Sequence, residues 1–294
     1  MFLNLKLNYH LKKVINNKTK ALKIKIKGEL IDLKQPKIMG ILNLTDDSFY
    51  DGGKHNSIDL ALRQTEKMLN EGAFFIDIGA ASSKPGSLLI SSKEEIDKLI
   101  PFLKKLIQTF PNTHFSIDTY NSDVAKESLA LGASMINDIS GGKIDPKMFE
   151  TVAEYKVPYI MMHMQGTPEH MQQNPHYIHI TKEIKLKLAK RLKIAFKAGI
   201  HDVIIDPGFG FGKTVTQNFQ LLRELKALLD LRCPIMIGVS RKSMVYRTLQ
   251  GSPETALNGT TALHAWGLER GVSILRVHDV KEAKECIDLF SALQ

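Results

Sequence analysis

Residues 203–214 read VIIDPGFGFGKT, and this stretch decides the fold. Three β-forming residues lead into Asp206, and Pro207 with the alternating glycines then ends the regular structure. A buried strand therefore delivers a carboxylate to its carboxyl end, which is the edge where α/β proteins bind ligands. The alternative is that Asp206 only caps the following turn. The final GKT resembles the end of a Walker A loop, but Pro207 stands where that motif requires its first glycine.

The same pattern of short apolar runs recurs along the chain on both sides of this stretch. Strand-like runs cover residues 38–44, 74–79, 114–119, 135–140, 159–164, 203–206, 234–240 and 273–278. Segments of helical period lie between them, among them residues 58–70, 93–108, 122–131 and 219–229. Eight strands alternating with helices over about 250 residues predict an α/β fold of the (β/α)₈ TIM-barrel type. An open doubly wound sheet is the structural alternative.

The N-terminal part of the chain differs from the rest in charge. The chain has 294 residues and a formal net charge of +9, yet residues 1–27 contain eight lysines and no acidic residue. We therefore predict a solvated basic extension over residues 1–21, and no basic stripe on the body that would bind nucleic acid. Residues 22–33 alternate and predict a β-hairpin turning at Gly28-Glu29. No linker or repeat divides residues 22–294, which we interpret as a single domain.

The sequence also predicts the cellular compartment in which the protein is found. Cys233 and Cys286 are too few and too distant for a disulfide framework or a zinc site, which favours a reducing environment. No apolar run reaches the roughly 18 residues of a membrane helix. The N-terminus lacks the apolar core of a signal peptide, so we expect a cytoplasmic protein without membrane contacts.

Polar residues recur where the predicted strands end. A single such residue is commonplace, but many at one rim are costly unless they serve a site. Two long loops at the same rim, residues 45–57 and 80–92, are typical of lids. The strand-end residues are Asn43, Asp77, Asp118, Asn137, His163, Asp206, Ser240, Arg241, Lys242, Arg276 and His278.

Four of these residues suit a flat heterocycle. The carboxylates of Asp118 and Asp206 can accept paired hydrogen bonds from an amidine-like edge, Asn137 can donate and accept, and Lys242 can donate. No nucleophile with a paired base is apparent, which disfavours covalent catalysis.

A second group of strand-end residues predicts an anion pocket. Arg276 and His278 can bind phosphate, and Asn43 opposite them can offer an oxygen to a metal ion. A salt bridge from Arg276 to Asp279 or Glu282 is the structural alternative. The residues alone indicate a transferase or lyase that acts on a heteroaromatic phosphate ester.

Eight ordered motifs over residues 37–294 resemble the dihydropteroate synthase family. Residues 39–53 read MGILNLTDDSFYDGG, against the family pattern MGILN-x-T-x-DSF-x-DGG. The IDIG strand and the loop motif SSKPG follow, and then IDT, IND, MHMQG, DPGFGFGK, SRKS and RVHDV in the family order.

The resemblance implies a TIM barrel that condenses 6-hydroxymethyl-7,8-dihydropterin diphosphate with p-aminobenzoate. The products would be 7,8-dihydropteroate, for folate synthesis, and pyrophosphate. It also implies a Mg²⁺ cofactor, small-molecule substrates and a homodimer, with no nucleic-acid partner. Asp118, Asp206 and Lys242 would be the catalytic residues.

The resemblance further assigns the binding residues. Asp118, Asn137, Asp206 and Lys242 would hold the pterin with Met162, which could equally be core filling. The diphosphate would be held by Asn43, Ser83, Arg276 and His278, with Asn43 as the metal ligand. The p-aminobenzoate site would comprise Phe49, Lys84, Pro85, Phe211, Lys242 and Ser243.

The loops depart from the family pattern in three places. Ala80 and Ala81 stand where the family often has Gly-Glu, Lys84 stands where it usually has Arg, and Asp46 where it usually has Pro. Arg to Lys exchanges a planar fork for a point charge. These changes affect the loops, and the pterin residues are intact.

Two other functions remain open at this point. A pterin-binding domain of corrinoid methyltransferases would share the barrel and some pterin ligands, but it would not need the p-aminobenzoate loop motifs. A non-catalytic pterin-binding module is the second alternative.

Overall fold

The computed structural model describes residues 22–44, 53–82 and 86–294. The basic extension and the predicted site residues Phe49, Ser83, Lys84 and Pro85 lie outside these ranges, as does Asp46. Within them no helix is both long and apolar enough to pass through a membrane.

Ten strands form two sheets in the described residues. Two of them pair as an antiparallel hairpin, and the other eight run parallel in the order β8-β7-β6-β5-β4-β3-β10-β9. A bridge between Ile205 and Ile235 joins the ends of that order, so the sheet closes into a barrel and the open-sheet alternative is wrong. The strands are β1 (Lys23–Ile26), β2 (Glu29–Asp32), β3 (Lys37–Asn43), β4 (Phe75–Gly79), β5 (His114–Asp118), β6 (Met135–Asp138), β7 (Tyr159–Met162), β8 (Val203–Asp206), β9 (Met236–Ile237) and β10 (Ile274–Val277).

The predicted hairpin is confirmed, but its turn lies one residue earlier than predicted. Lys27 and Gly28 are the two turn residues, with φ of 48° and 92°, and Glu29 already pairs with Ile26. Two consecutive positive φ angles are typical of the type I′ turn, whose twist matches that of the paired strands.

Nine α-helices surround the barrel in the described residues. They are α1 (Gly53–Asn70), α2 (Ser92–Thr109), α3 (Ser122–Leu131), α4 (Met148–Tyr155), α5 (Ile180–Lys197), α6 (Val215–Arg223), α7 (Ser243–Thr248), α8 (Leu257–Glu269) and α9 (Val280–Ala292).

One predicted helix, residues 219–229, has the wrong boundaries. Helix α6 begins earlier because Thr214 and Gln217 form a capping box, and it ends at Arg223. A 3₁₀ helix (Leu225–Leu231) follows, and its buried leucines recur every third residue, the spacing that keeps side chains on one face of a 3₁₀ helix. The predicted strand over residues 234–240 is likewise reduced to the two residues of β9.

The barrel interior is divided into two ends. At the N-terminal end, Ile24, Ile26 and Leu33 of the hairpin pack against Met39, Phe75 and the other inward-facing apolar residues of the barrel strands. A larger apolar layer lies between the barrel and its helices. The hairpin therefore closes one end with hydrocarbon, and the C-terminal end of the strands is left to carry polar groups.

Candidate active site at the C-terminal mouth of the barrel

Strand register brings three of the predicted site residues side by side. Asn43 of β3 pairs with Gly79 of β4, Gly79 pairs with Asp118 of β5, and Asp118 pairs with Asn137 of β6. A Cβ atom at Gly79 would lie 3.8 Å from the Asn43 Oδ1 atom and 3.7 Å from the Asp118 Oδ2 atom. The Asn43 and Asp118 side chains therefore lie on either side of Gly79 at the mouth.

A hydrogen-bonded charge network crosses the mouth from Arg276. Its Nε atom donates to Asp77 Oδ2 at 2.6 Å, and its Nη2 atom donates to Asp118 Oδ2 at 2.7 Å. Asp77 is fully buried and its Oδ2 atom also accepts from Asn137 Nδ2 at 2.9 Å. The alternative salt bridge from Arg276 to Asp279 is wrong, because Asp279 is paired with Arg241.

The protonation of this network follows from its burial. Loss of solvation raises the pKa of Asp118 to about 7, with Arg276 opposing the rise and the negative charge of Asp77 adding to it. Burial disfavours the charge of Arg276, but Asp77 and Asp118 outweigh that effect and hold its pKa above the ordinary value. The carboxyl of Asp118 therefore has a pKa near neutral pH while Arg276 is its partner.

Asp206 and Lys242 lie on the other side of the mouth. The Asp206 Oδ1 atom accepts a hydrogen bond from the Gly208 backbone N–H at 2.7 Å, so this residue both caps the turn and faces the site. Burial raises the pKa of Asp206, and Lys242 opposes that rise. The Lys242 Nζ atom donates to the Phe209 carbonyl and lies 4.5 Å from the centre of the Phe211 ring.

Burial also lowers the pKa of Lys242, to about 8, although Asp206 favours its charged form. Asp118 likewise favours the charged form, and Arg276 disfavours it. The barrel mouth therefore contains one electrostatically coupled group of charges, made up of Lys242, Arg276, Asp118 and Asp206.

The remaining predicted residues lie around this centre. Met162 ends β7 and is buried in an apolar cluster at the mouth with Ile139 and Tyr120, against which Phe211 packs. His278 is an exposed residue, and its Nδ1 atom is 3.1 Å from the Ser240 hydroxyl. Ser243 is the first residue of α7, directly after Lys242.

His163, which the sequence placed among the rim residues, is instead buried below the loop that follows β8. Neither of its ring nitrogens has a hydrogen-bond partner in the described part of the chain. Burial and the charge of Lys213 lower its pKa well below the ordinary value, so it is a neutral residue of the interior.

Sequence reasoning assigned no role to two residues that organise this site. Asp77 was one of many strand-end residues, although a carboxylate inside the apolar run FIDIG was a signal that a buried partner exists. Lys213 falls within the motif DPGFGFGK but receives no role from the sequence, yet its amine is buried inside the loop that follows β8.

A separate cavity of about 370 Å³ lies between the N-terminal halves of α1 and α2. It is lined by Ser57, Ser91, Asp97 and Phe102 among others, and contains none of the predicted site residues. Because the converging acids, amide and guanidinium are at the barrel mouth, the mouth is the candidate active site.

Known proteins resemble this chain in both sequence and fold. Residues 39–278 match the family of pterin binding enzymes, and the chain belongs to that family. Dihydropteroate synthase from Escherichia coli is 38% identical over 273 residues, which are 92% of this chain and 96% of the bacterial protein. The solved structure of Xanthomonas albilineans dihydropteroate synthase with 4-aminobenzoic acid has a TM-score of 0.86 and 35% identity, covering 94% of this chain and 99% of that one.

A longer relative occurs in a fungus. A Pneumocystis carinii folic acid synthesis protein is 46% identical over 253 residues, which are 83% of this chain. The chain spans 34% of the length of that protein.

Proposed function

We propose that this chain condenses 6-hydroxymethyl-7,8-dihydropterin diphosphate with p-aminobenzoate, forming 7,8-dihydropteroate and pyrophosphate in folate biosynthesis. The observation that carries the proposal is the convergence of Asp118, Asn137, Asp206 and Arg276 at one barrel mouth. The near full-length similarity to the Escherichia coli synthase supports it.

The pterin would bind to side chains at the carboxyl ends of the barrel strands. Asp206 would accept two N–H groups of the pterin, and Asn137 would donate and accept along the same edge. Asn137 is held in place by Asp77, which fixes the orientation of its amide. Met162 supplies an apolar surface next to the heterocycle.

The diphosphate would bind mainly to Arg276, with His278 and Asn43 as further ligands. A phosphate can replace Asp118 as the partner of the Arg276 Nη2 atom. A carboxylate and a phosphate both present anionic oxygen atoms that accept hydrogen bonds from a guanidinium. Ser83 belongs to the proposal as a further diphosphate ligand and lies outside the described residues.

The residues at the mouth fit a Mg²⁺ ion. Asn43 is exposed at the end of β3, and its Oδ1 atom and the Asp118 Oδ2 atom both lie within 4 Å of the position that a Cβ of Gly79 would take. Oxygen ligands are the ones Mg²⁺ prefers. Asn43 would hold the ion, with phosphate oxygens and water as the other ligands. When bound, Mg²⁺ would neutralise negative charge on the departing diphosphate.

The p-aminobenzoate half is formed by Phe211, Lys242 and Ser243. The Phe211 ring offers a face to the aromatic acid, and the Lys242 amine above that ring can pair with its carboxylate. The Xanthomonas albilineans relative was solved with 4-aminobenzoic acid, which supports an arylamine site on this fold. Phe49, Lys84 and Pro85 complete the proposed site from outside the described residues.

The proposed mechanism is a dissociative, SN1-like substitution. The C–O bond at the pterin methylene breaks and its electron pair leaves with the diphosphate, which Arg276 stabilises. The resulting cation is conjugated with the pterin ring, near the carboxylates of Asp118 and Asp206. The neutral amine of p-aminobenzoate then forms the C–N bond and releases a proton, a step that needs no strong base.

A homodimer is also part of the proposal. The C-terminal helices expose large apolar side chains, with Trp266 of α8 51% exposed and Leu289 of α9 71% exposed. Such side chains on adjacent helices suit a subunit contact. Sedimentation equilibrium should give twice the chain mass, and a concentration-independent monomer would overturn this part.

The reaction is tested by following pyrophosphate release and dihydropteroate formation with each substrate omitted in turn. We expect both products only when pterin diphosphate and p-aminobenzoate are present together. A non-catalytic pterin-binding module would release no pyrophosphate, and a methyltransferase domain would ignore p-aminobenzoate. Either result would refute the proposal.

A further inference from the structure

The loop after β8 has every carbonyl from residue 208 to residue 212 hydrogen-bonded to a side chain. Gly208 and Phe211 are bound by Lys213, and Phe209 is bound by Lys242. The carbonyls of Gly210 and Gly212 accept from Gln172 and from Tyr177, respectively. An irregular loop is thereby fixed by side chains in place of a backbone ladder.

The Lys213 amine occupies the inside of this loop. Its Nζ atom donates to the carbonyls of Gly208 at 2.6 Å, Phe211 at 2.9 Å and His163 at 3.3 Å, and the residue is only 3% exposed. No carboxylate lies within ion-pair distance of the amine in the described ranges. Three acceptors match the three N–H donors of an ammonium group, so each donor has a carbonyl partner. Burial lowers the pKa of the amine well below its ordinary value, and the negative charge of Asp206 opposes that shift.

The third carbonyl connects the loop to the neighbouring strand. His163 directly follows β7, and its backbone N–H donates to the Asp206 carbonyl of β8. Gly208 lies so close that a Cβ atom there would be 2.0 Å from the His163 carbonyl oxygen. The amine thus joins the loop to a rigid part of the barrel at the point of closest backbone approach.

Lys213 and Lys242 act on opposite sides of the same loop. Lys242 faces the mouth, where its amine contacts the Phe211 ring, whereas Lys213 holds the Phe211 carbonyl from the buried side. The position of the Phe211 ring therefore depends on both amines, of which only Lys242 reaches the site.

We propose that Lys213 is a positioning residue that fixes Phe211 as the wall of the arylamine site without touching a substrate. This inference rests on the proposed function for the identity of the arylamine. Because the pterin residues Asp118 and Asn137 lie on strands, loss of the Lys213 amine should affect arylamine binding more than pterin binding.

The test compares Lys213→Met with Lys143→Met. Methionine keeps most of the volume of the side chain and removes its donors, and Lys143 is a control lysine that donates to one backbone carbonyl, that of Met164. We expect Lys213→Met to raise the KM for p-aminobenzoate at least tenfold, with the Kd for pterin diphosphate changed less than threefold. Lys143→Met should leave both constants within twofold.

Hydrogen exchange supplies a readout that does not depend on turnover. The backbone amides of residues 208–212 should lose protection in Lys213→Met, while those of β5 and β6 keep it. Unchanged protection and KM, or equal rises in both constants, would overturn the inference. If the parent chain makes no dihydropteroate, the proposed function fails, and the exchange data still decide the role of Lys213.

If Lys213→Met does not fold, a milder variant can test whether side-chain hydrogen bonds to the loop carbonyls position Phe211. Tyr177→Phe removes only the hydrogen bond to the Gly212 carbonyl. We expect it to raise the KM for p-aminobenzoate about threefold and to loosen the same amides. No change in either quantity would contradict the view that these side chains hold the loop in its working shape.

Discussion

The two ends of the barrel are built from the same strands but contain opposite chemistry. Met39 on β3 and Arg276 on β10 are register neighbours, yet Met39 belongs to the apolar filling below and Arg276 reaches the charge network above. The lower end is closed by the hairpin residues Ile24 and Ile26. The apolar end that stabilises the fold and the polar end that carries the candidate site are therefore only a few residues apart along each strand.

The difference has an energetic meaning. Burying a large apolar side chain stabilises the fold by roughly 1.5–3 kcal/mol. Burying a charge costs free energy unless it is paired, and a buried pair often does no better than an apolar replacement. Asp77, Asp118 and Arg276 at the mouth are therefore not explained by stability, while the apolar hairpin end stabilises the fold.

The largest effect on ligand binding is expected from Arg276→Ala at the mouth. Loss of the guanidinium should weaken binding of the pterin diphosphate by ~2 kcal/mol or more, because only the ester offers phosphate oxygens to it. Binding of the bare pterin alcohol, measured by calorimetry as the control, should barely change. Equal losses for the two ligands would place Arg276 outside the anion pocket.

A second effect, on the stability of the fold, concerns a buried acid behind the mouth. Glu95 of α2 is fully buried, and its Oε2 atom accepts from Asn121 at 2.6 Å. Burial raises its pKa from 4.5 to about 7, while the hydrogen bonds from Asn121 and Thr119 oppose the rise. The unfolded chain therefore releases this proton at lower pH than the folded chain does, and stability falls as pH rises from 4.5 to 7.

Glu95→Gln should remove this dependence while keeping the acceptor for Asn121. We expect the variant to match the parent at pH 4.5 and to exceed it by about 3 kcal/mol at pH 8, from urea unfolding at both values. Glu94→Gln, an exposed neighbour on the same helix, is the control and should show no such difference. A parent whose stability rises between these pH values would contradict the assignment.

The smallest effect is expected from the basic extension, which belongs to neither end. Deletion of residues 1–20 should leave kcat/KM within about twofold, because the segment lies outside every motif. The urea midpoint should also be unchanged. A large fall in activity with the fold retained would show that the extension contributes to the mouth.

Sequence reasoning succeeded where local pattern and local structure coincide. β8 and α3 have the predicted boundaries, because in each a clear periodicity ends at a turn or capping residue. The motif residues Asp118, Asn137 and Asp206 were predicted at the mouth because parallel strands end at one edge.

It was less successful where distant residues decide the outcome. Asp77 and Arg276 are 199 residues apart, and only closure of the barrel brings them into contact. The sequence therefore suggested Asp279 as the partner of Arg276, although Arg241 binds that carboxylate. The role of Lys213 likewise depends on the His163 carbonyl, whose position follows from the pairing of β7 and β8.

The division between the two ends is tested most directly by measuring unfolding and turnover together in Ile24→Ala and Asp206→Asn. Ile24→Ala should lower the free energy of unfolding by roughly 2–4 kcal/mol and leave kcat/KM within about twofold. Asp206→Asn should leave stability at pH 8 unchanged or higher, because the amide oxygen can still accept from Gly208, while pterin binding weakens by roughly 1.5–3 kcal/mol. If Asp206→Asn lost stability and kept pterin affinity, or if Ile24→Ala lost turnover at full stability, the account would be contradicted.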